Sequence, residues 1–384
     1  MAEHLINTKL IHGGVDGDEH TGAVSVPIYQ TSTYRQKELG GKVPYEYSRT
    51  GNPTREALEK LIAELEEGTA GFAFASGMAA ITTVLLLFKS GDKILISNNV
   101  YGGTFRILDK VFKQFGLIYK IVDTSDISLL EKELEPSVKG IFIESPANPL
   151  LTITDIKAVS VLAKTYGILT IVDNTFMTPY LQKPLTLGAD IVVHSATKYL
   201  GGHSDLIAGL AVTGNEELSA RLAFLQNATG GILEPFDSWL LIRGIKTLSV
   251  RLDRHLENAS YVADFLRGQK SVEQVYYPGL PDFKGYEIHQ KQASGAGAII
   301  SFTLAQGFDI REFYKHLELI ILGESLGGVE SLACHPASMT HASIPAELRN
   351  QLGITDNLVR LSIGIEDKRD LIKDLENALS HSSI

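Results

Sequence analysis

ILTIVDNTFMTPYLQKPLTLGADIVVHSATKYL, residues 168–200, contains two short apolar runs rich in β-branched residues, ILTIVDN (168–174) and DIVVHS (190–195). Runs rich in β-branched residues with no polar alternation are strands covered on both faces. Asp173 closes the first run and Lys198 follows the second. Working outward, KILIS (93–97), YKIVD (119–123), GIFIES (140–145) and LIAGLAVT (206–213) have the same character. Segments with apolar residues at helical spacing lie between most of them: TFRILDKVFKQFG (104–116), closed by Gly116, and TDIKAVSVLAKTYG (154–167). This alternation predicts an α/β fold with a mostly parallel, doubly wound sheet.

After Gly230 the pattern changes. Residues 236–269 predict one long helix or two joined helices, with Gly244 as a kink point. A smaller C-terminal α/β unit follows, with VEQVYY, AIISFTLA and LVRLSIGIE as strands and helices over 309–317 and 367–380. The first 50 residues show little periodicity and read either as an arm packed on another subunit or as plain disorder. The chain thus divides into an N-terminal arm (1–50), a large domain (51–235), and a linking helix with a smaller domain (236–384).

The composition, 44% hydrophobic and 21% charged over 384 residues, is that of a globular protein. A formal net charge of −10 disfavours nucleic acid and anionic membranes as partners. Cys334 is the sole cysteine, so neither an intrachain disulfide nor a cysteine-based zinc site is expected. The opening MAEHLINTKLIHGG lacks the pattern of a secretion signal. A cytoplasmic location follows, and the triplets Asn227-Ala228-Thr229 and Asn258-Ala259-Ser260 then carry no glycan. Residues 70–88 carry no charge and reach spanning length, but Ser76-Gly77 marks a strand-to-helix break, so a buried strand and a buried helix are expected.

In an open α/β sheet, ligands gather at the carboxyl ends of the strands, which brings Asp173 and Lys198 to one crevice. A lysine there can form a Schiff base with the aldehyde of pyridoxal 5′-phosphate while the carboxylate keeps its ring nitrogen protonated; a structural ion pair is the alternative. Ser76, Gly77 and Met78 in FAFASGMAAI open a helix, where free N–H groups favour a phosphate, a plain N-cap being the commoner alternative, and Ser195 and Thr197 supply hydroxyls beside Lys198. No G-x-x-x-x-G-K-[ST] or strand-linked G-x-G-x-x-G is present. Tyr101, just after KILIS, can stack on a flat cofactor or relay protons. Arg49 and Tyr47 in YSRTGNPTREALEKL suit a phosphate, whereas Arg55 reads as a solvated surface charge. Arg360 inside an apolar strand needs an anion, either a substrate carboxylate or a structural partner.

The segments TGAVSVPIYQTSTY, YSRTGNPTR, ASGMAAI, VYGGTFR, ESPANPLL, VDNTFMTPYLQKPLTLGADIVVHSATKYLGGHSD, ESLGGVESL and MTHAS together resemble the Cys/Met-metabolism family of pyridoxal-phosphate-dependent enzymes over nearly the whole chain. The resemblance implies a fold-type I, aspartate-aminotransferase-like subunit and a homotetramer of two tight dimers. It makes Lys198 the Schiff-base lysine, Asp173 the ring-nitrogen partner and Tyr101 the stacking residue. Gly77, Met78, Ser195 and Thr197 become phosphate contacts, and Tyr47 and Arg49 phosphate ligands given by the neighbouring subunit. Asn148, Ser325 and Arg360 match groups holding the substrate carboxylate, Asn148 also lying near the cofactor. Arg106 and Glu324 match positions in the distal substrate pocket.

Within the family the chain is most similar to bacterial cystathionine γ-lyases, with γ-synthases and β-lyases close behind. Glu324 resembles the γ-enzymes, and Gly103 stands where the methionine-lyase pattern has cysteine. GAGAIISF, by contrast, resembles some β-lyases. The implied substrates are small sulfur amino acids. A non-catalytic protein retaining the pocket is the alternative outside enzymology.

Overall fold

The computed structural model describes residues 4–384 apart from 15, 16, 19, 42 and 343–345. A seven-stranded sheet is built from β1 (Ala70–Phe74), β2 (Lys93–Ser97), β3 (Ile118–Val122), β4 (Val138–Glu144), β5 (Leu169–Asp173), β6 (Ile191–Ser195) and β7 (Gly209–Thr213). Its order is β1-β7-β6-β5-β4-β2-β3, and the pairs β3·β2, β2·β4, β4·β5 and β5·β6 are parallel. The expected doubly wound sheet is therefore present, with one reversal: β7 runs antiparallel to both β1 and β6. β7 is buried along its length and pairs on both sides, and only Gly209–Thr213 of LIAGLAVT is regular strand.

The chain moves outward from β2 to β3 and then returns to the other side of β2 as β4. The order of the strands thus reverses between β2 and β4, and a crevice opens at the carboxyl ends there. Tyr101 follows β2 and Glu144 ends β4, so both face this crevice region. Register places Glu144 beside Asp173 across β4·β5.

The uncharged stretch 70–88 forms β1 and then the helix Gly77–Leu85, capped by Ser76, whose side chain accepts the Ala79 N–H at 3.1 Å. Among the described residues no helix is long and apolar enough to cross a membrane.

Residues 235–267 form two helices, Pro235–Ile245 and Leu248–Arg267, and the break falls at Lys246 and Thr247 rather than at Gly244. Gly244 serves a different purpose. A Cβ there would lie 2.4 Å from Gly201 O and 2.8 Å from Leu200 O, so glycine lets the helix touch the backbone just after Lys198. Buried Arg251 reinforces the contact by donating to Tyr199 O and Gly244 O, both at 2.8 Å.

A five-stranded sheet of β8 (Val272–Tyr276), β9 (Ile299–Leu304), β10 (Ile321–Leu322), β11 (Leu332–Cys334) and β12 (Leu358–Ser362) follows, in the order β10-β11-β12-β9-β8. The three expected C-terminal strands are β8, β9 and β12; the two short ones lack a readable run. One core cluster joins the two sheets, with Leu210 and Val212 from the first and Phe302 and Leu361 from the second.

The expectation of a solvated Arg55 is overturned. Arg55 is 1% exposed, donates to Ser48 O at 2.7 Å and Arg49 O at 3.2 Å, and lies 3.5 Å from Glu59. A buried guanidinium must find acceptors, and these carbonyls are those of the YSRTGN turn, which it holds in place. In the arm itself, the helix Ile6–His12 is the one regular element before residue 50 among the described residues.

Candidate active site

A cavity of about 330 Å³ lies at the carboxyl ends of the large sheet, against the second sheet. The large sheet and its connections supply Ser76, Gly77, Met78, Tyr101, Asn148, Asp173, Ser195, Thr197 and Lys198; the C-terminal part supplies Glu324, Ser325 and Arg360. These residues lie far apart in sequence: those of the large sheet each follow or end a strand on the same edge, Glu324 and Ser325 follow β10, and Arg360 lies within β12. Tyr47, Arg49 and Arg106 do not join them. Tyr47 and Arg49 line a separate groove, where Arg49 Nη1 donates to Asn227 O (2.6 Å) and Oδ1 (2.9 Å). Arg106 is exposed on the helix Gly102–Lys110.

Lys198 Nζ donates to Ser325 Oγ at 2.7 Å. Burial, and then the nearby Arg360 charge, pulls its pKa down to about 8, against an opposing pull from Glu324. No ion pair joins Lys198 to Asp173 among the described residues, so the structural alternative for that pair falls away. Asp173 instead accepts the N–H (3.0 Å) and the hydroxyl of Thr175. Burial pushes the Asp173 carboxyl up, and those two bonds and then His194 offset this only in part.

Arg360, 2% exposed, donates to Asn148 Oδ1 at 3.1 Å and Ser325 O at 2.8 Å, and its buried Nε has no partner. No carboxylate lies within 4 Å of it among the described residues. A buried guanidinium with only neutral acceptors is built to receive an anion from outside the chain. Ser325 carries φ +97, a region a non-glycine residue enters only when held there, and both its polar groups are engaged by Lys198 and Arg360.

The donor set fits pyridoxal 5′-phosphate. The Gly77 and Met78 amides belong to the free first turn of their helix. A Cβ on Gly77 would come within 3.0–3.1 Å of Ser195 atoms, so glycine lets that hydroxyl approach the helix terminus. Lys198 would carry the aldehyde, Asp173 would meet the ring nitrogen, and Tyr101, whose ring is partly exposed to the cavity, would cover the ring face. Gly103 gives that ring its room, since a Cβ at 103 would fall 2.4 Å from Tyr101 Cε1.

Of the lining residues that sequence reasoning did not single out, Glu144 and Thr175 bear on the charges of the site. Glu144 is buried, accepts the Tyr101 N–H at 2.7 Å, and is pushed well up by burial and then by Asp173. Thr175 holds Asp173. The VDN-T spacing offered a signal for Thr175, because a hydroxyl two residues after a carboxylate can close a turn on it. Glu144 offered none, because its role depends on strand pairing.

The description "Cys/Met metabolism PLP-dependent enzyme" matches residues 7–380 as a family. A cystathionine β-lyase of Lactococcus lactis is 56% identical over 374 residues, covering 97% of this chain and 98% of that one. A cystathionine γ-lyase of Bacillus subtilis is 55% identical, covering 97% of this chain and 99% of that one. The crystal structure of cystathionine γ-lyase from Lactobacillus plantarum complexed with L-serine superposes with a TM-score of 0.97 at 52% identity, covering 99% of each chain. With the lysine, the carboxylate and the N-terminus of the helix Gly77–Leu85 assembled at one sheet edge, this chain belongs to the Cys/Met-metabolism family of pyridoxal-phosphate-dependent enzymes.

Proposed function

We propose that this chain is a cystathionine γ-lyase, which converts L-cystathionine to L-cysteine, 2-oxobutanoate and ammonia by α,γ-elimination. Release of hydrogen sulfide from homocysteine or cysteine is an accessory activity of the same site. One observation carries the reading: the cavity presents a buried guanidinium, Arg360, without a carboxylate partner, and an exposed carboxylate, Glu324, next to Ser325. An amino acid with an α-carboxylate and a second, distal ammonium satisfies both.

Bound pyridoxal 5′-phosphate supplies an aldehyde for the substrate amine and a ring that takes up electrons. The chain's own residues do the rest. Arg360 and Asn148 orient the α-carboxylate, and Ser325 fixes both Arg360 and Lys198. Lys198 Nζ would take the Cα proton; its lowered pKa leaves much of it neutral near pH 8. Tyr101 or Lys198 returns a proton to the departing sulfur. Glu324 faces the distal half of the substrate; Arg106, which lies outside its own chain's cavity, is assigned to the distal pocket by the resemblance alone.

Tyr47 and Arg49 serve a neighbouring subunit in this reading, as phosphate ligands of a shared site in a homotetramer of two dimers. Their position in a groove apart from their own chain's cavity supports it. The enzyme works in the cytoplasm, in keeping with a single, buried, free cysteine.

A second reading, cystathionine β-lyase, is favoured by GAGAIISF and by the 56% identity to the Lactococcus lactis β-lyase. A third, γ-synthase activity, would use the same site with an O-acyl-homoserine. Incubation with L-cystathionine alone separates the first two: cysteine with 2-oxobutanoate marks γ-cleavage, homocysteine with pyruvate marks β-cleavage. Homocysteine and pyruvate as main products would overturn the proposal. So would turnover confined to an O-acyl-homoserine plus cysteine.

A further inference from the structure

Asp173 is not an isolated carboxylate. Glu144 stands beside it, its Cα partner across the parallel β4·β5 ladder, and both line the cavity. Two buried carboxyls at one level compete for a proton. Their donors differ. Glu144 accepts the Tyr101 N–H at 2.7 Å. Asp173 Oδ1 accepts both the N–H and the hydroxyl of Thr175, while Oδ2 has no partner among the described residues.

The direction of the hydroxyl bond is set by a third group. Thr175 Oγ1 accepts the Ser195 backbone N–H at 2.8 Å, which leaves its single proton for Asp173. The remaining titratable neighbours are engaged elsewhere: His194 Nε2 lies 2.7 Å from Glu66 Oε1, and Lys198 donates to Ser325.

We propose that Thr175 is a positioning residue that decides which carboxyl of the pair carries the proton. Its oriented hydroxyl holds Asp173 as the anion, with Oδ2 open to the cavity, and the proton stays on Glu144. This rests on Asp173 being the partner of the cofactor's ring nitrogen. An anionic Asp173 leaves a proton on that nitrogen. Without the hydroxyl, the proton passes from the nitrogen to the Asp173 carboxyl, an N–H bond exchanged for an O–H bond, and the Ser195 N–H loses its acceptor.

The test uses holoenzyme reconstituted with pyridoxal 5′-phosphate labelled with nitrogen-15 in the ring. Wild type, Thr175→Val, Thr175→Ala, Thr175→Ser and Asp173→Asn are compared by ring-nitrogen chemical shift and by cofactor affinity. Wild type and Thr175→Ser should report a protonated nitrogen. Thr175→Val and Thr175→Ala should move towards the unprotonated position set by Asp173→Asn and bind the cofactor roughly tenfold more weakly, the loss of one charge-assisted bond. Thr175→Ala provides the reading if the valine variant does not fold. A wild-type shift in the valine and alanine variants, with Asp173→Asn displaced, overturns the role of Thr175. An unprotonated nitrogen in Thr175→Ser overturns it too. A wild-type shift in Asp173→Asn would instead remove the underlying assignment of Asp173.

Discussion

Replacing Glu324 by valine should change which sulfur amino acid the enzyme prefers. Cystathionine carries a distal ammonium and homocysteine does not. Glu324 lines both the cavity and a wider groove beside it that also contains Asp205, Asp237 and Glu330. Because Glu324 is exposed, its attraction for an ammonium about 4 Å away is about 1–4 kcal/mol, set by a dielectric between surface and bulk water. The lower end of the range for a charge-assisted hydrogen bond, about 1.5 kcal/mol, suits such a site. That corresponds to roughly a tenfold fall in kcat/KM for cystathionine. A second effect has the opposite sign. Glu324 raises the Lys198 pKa, so its removal leaves more of the lysine neutral whatever the substrate. Homocysteine turnover should therefore stay level or rise. Both substrates are assayed side by side for 2-oxobutanoate release. An equal loss with both would refute recognition of the ammonium and leave Glu324 a loop-stabilising residue.

Three further outcomes are expected. Lys198→Ala should lose covalent cofactor attachment and nearly all turnover; an unchanged visible absorption band that borohydride removes would contradict the assignment. The lowered Lys198 pKa also makes stability depend on pH. Between about 8 and the ordinary lysine value of 10.5, the unfolded chain binds more protons than the folded one, so the apo-protein should gain up to about 1.4 kcal/mol of stability per pH unit from this group as pH rises. Urea titrations of wild type and Lys198→Met across that window should diverge, and parallel curves would contradict the burial argument. Finally, Arg49→Ala should weaken cofactor retention, and mixing it with Lys198→Ala subunits should restore some activity if the site is shared. Stable mixed dimers that remain inactive would show that Arg49 serves its own chain.

Local chemistry was legible in the sequence wherever strand, turn and functional residue are contiguous. ILTIVDN and DIVVHS announced buried strands because an apolar run with no polar alternation suits only a covered sheet. Asp173 and Lys198 followed from their places at the ends of those runs. FAFASGMAAI likewise announced its helix start, because Ser76 caps its own next turn. The break between the helices Pro235–Ile245 and Leu248–Arg267 was misplaced at Gly244 for the converse reason. That glycine answers to the backbone of Gly201, which helical periodicity does not reveal.

What only the tertiary structure decided is which charges have partners. Arg55, Glu144, Thr175 and Arg360 are each single letters whose roles depend on groups brought near by folding. Arg55 could be read as a surface cation until the arm's carbonyls closed around it. Arg360 admitted two anions, one from the chain and one from a substrate, until folding was seen to bring it only Asn148 and the Ser325 carbonyl. Glu144 gained its meaning from β4·β5 register, and Thr175 from the Ser195 amide of the next strand. Sequence alone could determine most of the strands, since backbone periodicity encodes them, and the cofactor class, since the family's motifs run through nearly the whole chain. The ionisation of the site belongs to the folded chain, because a carboxyl's pKa is set by burial and by donors that arrive from distant parts of the sequence.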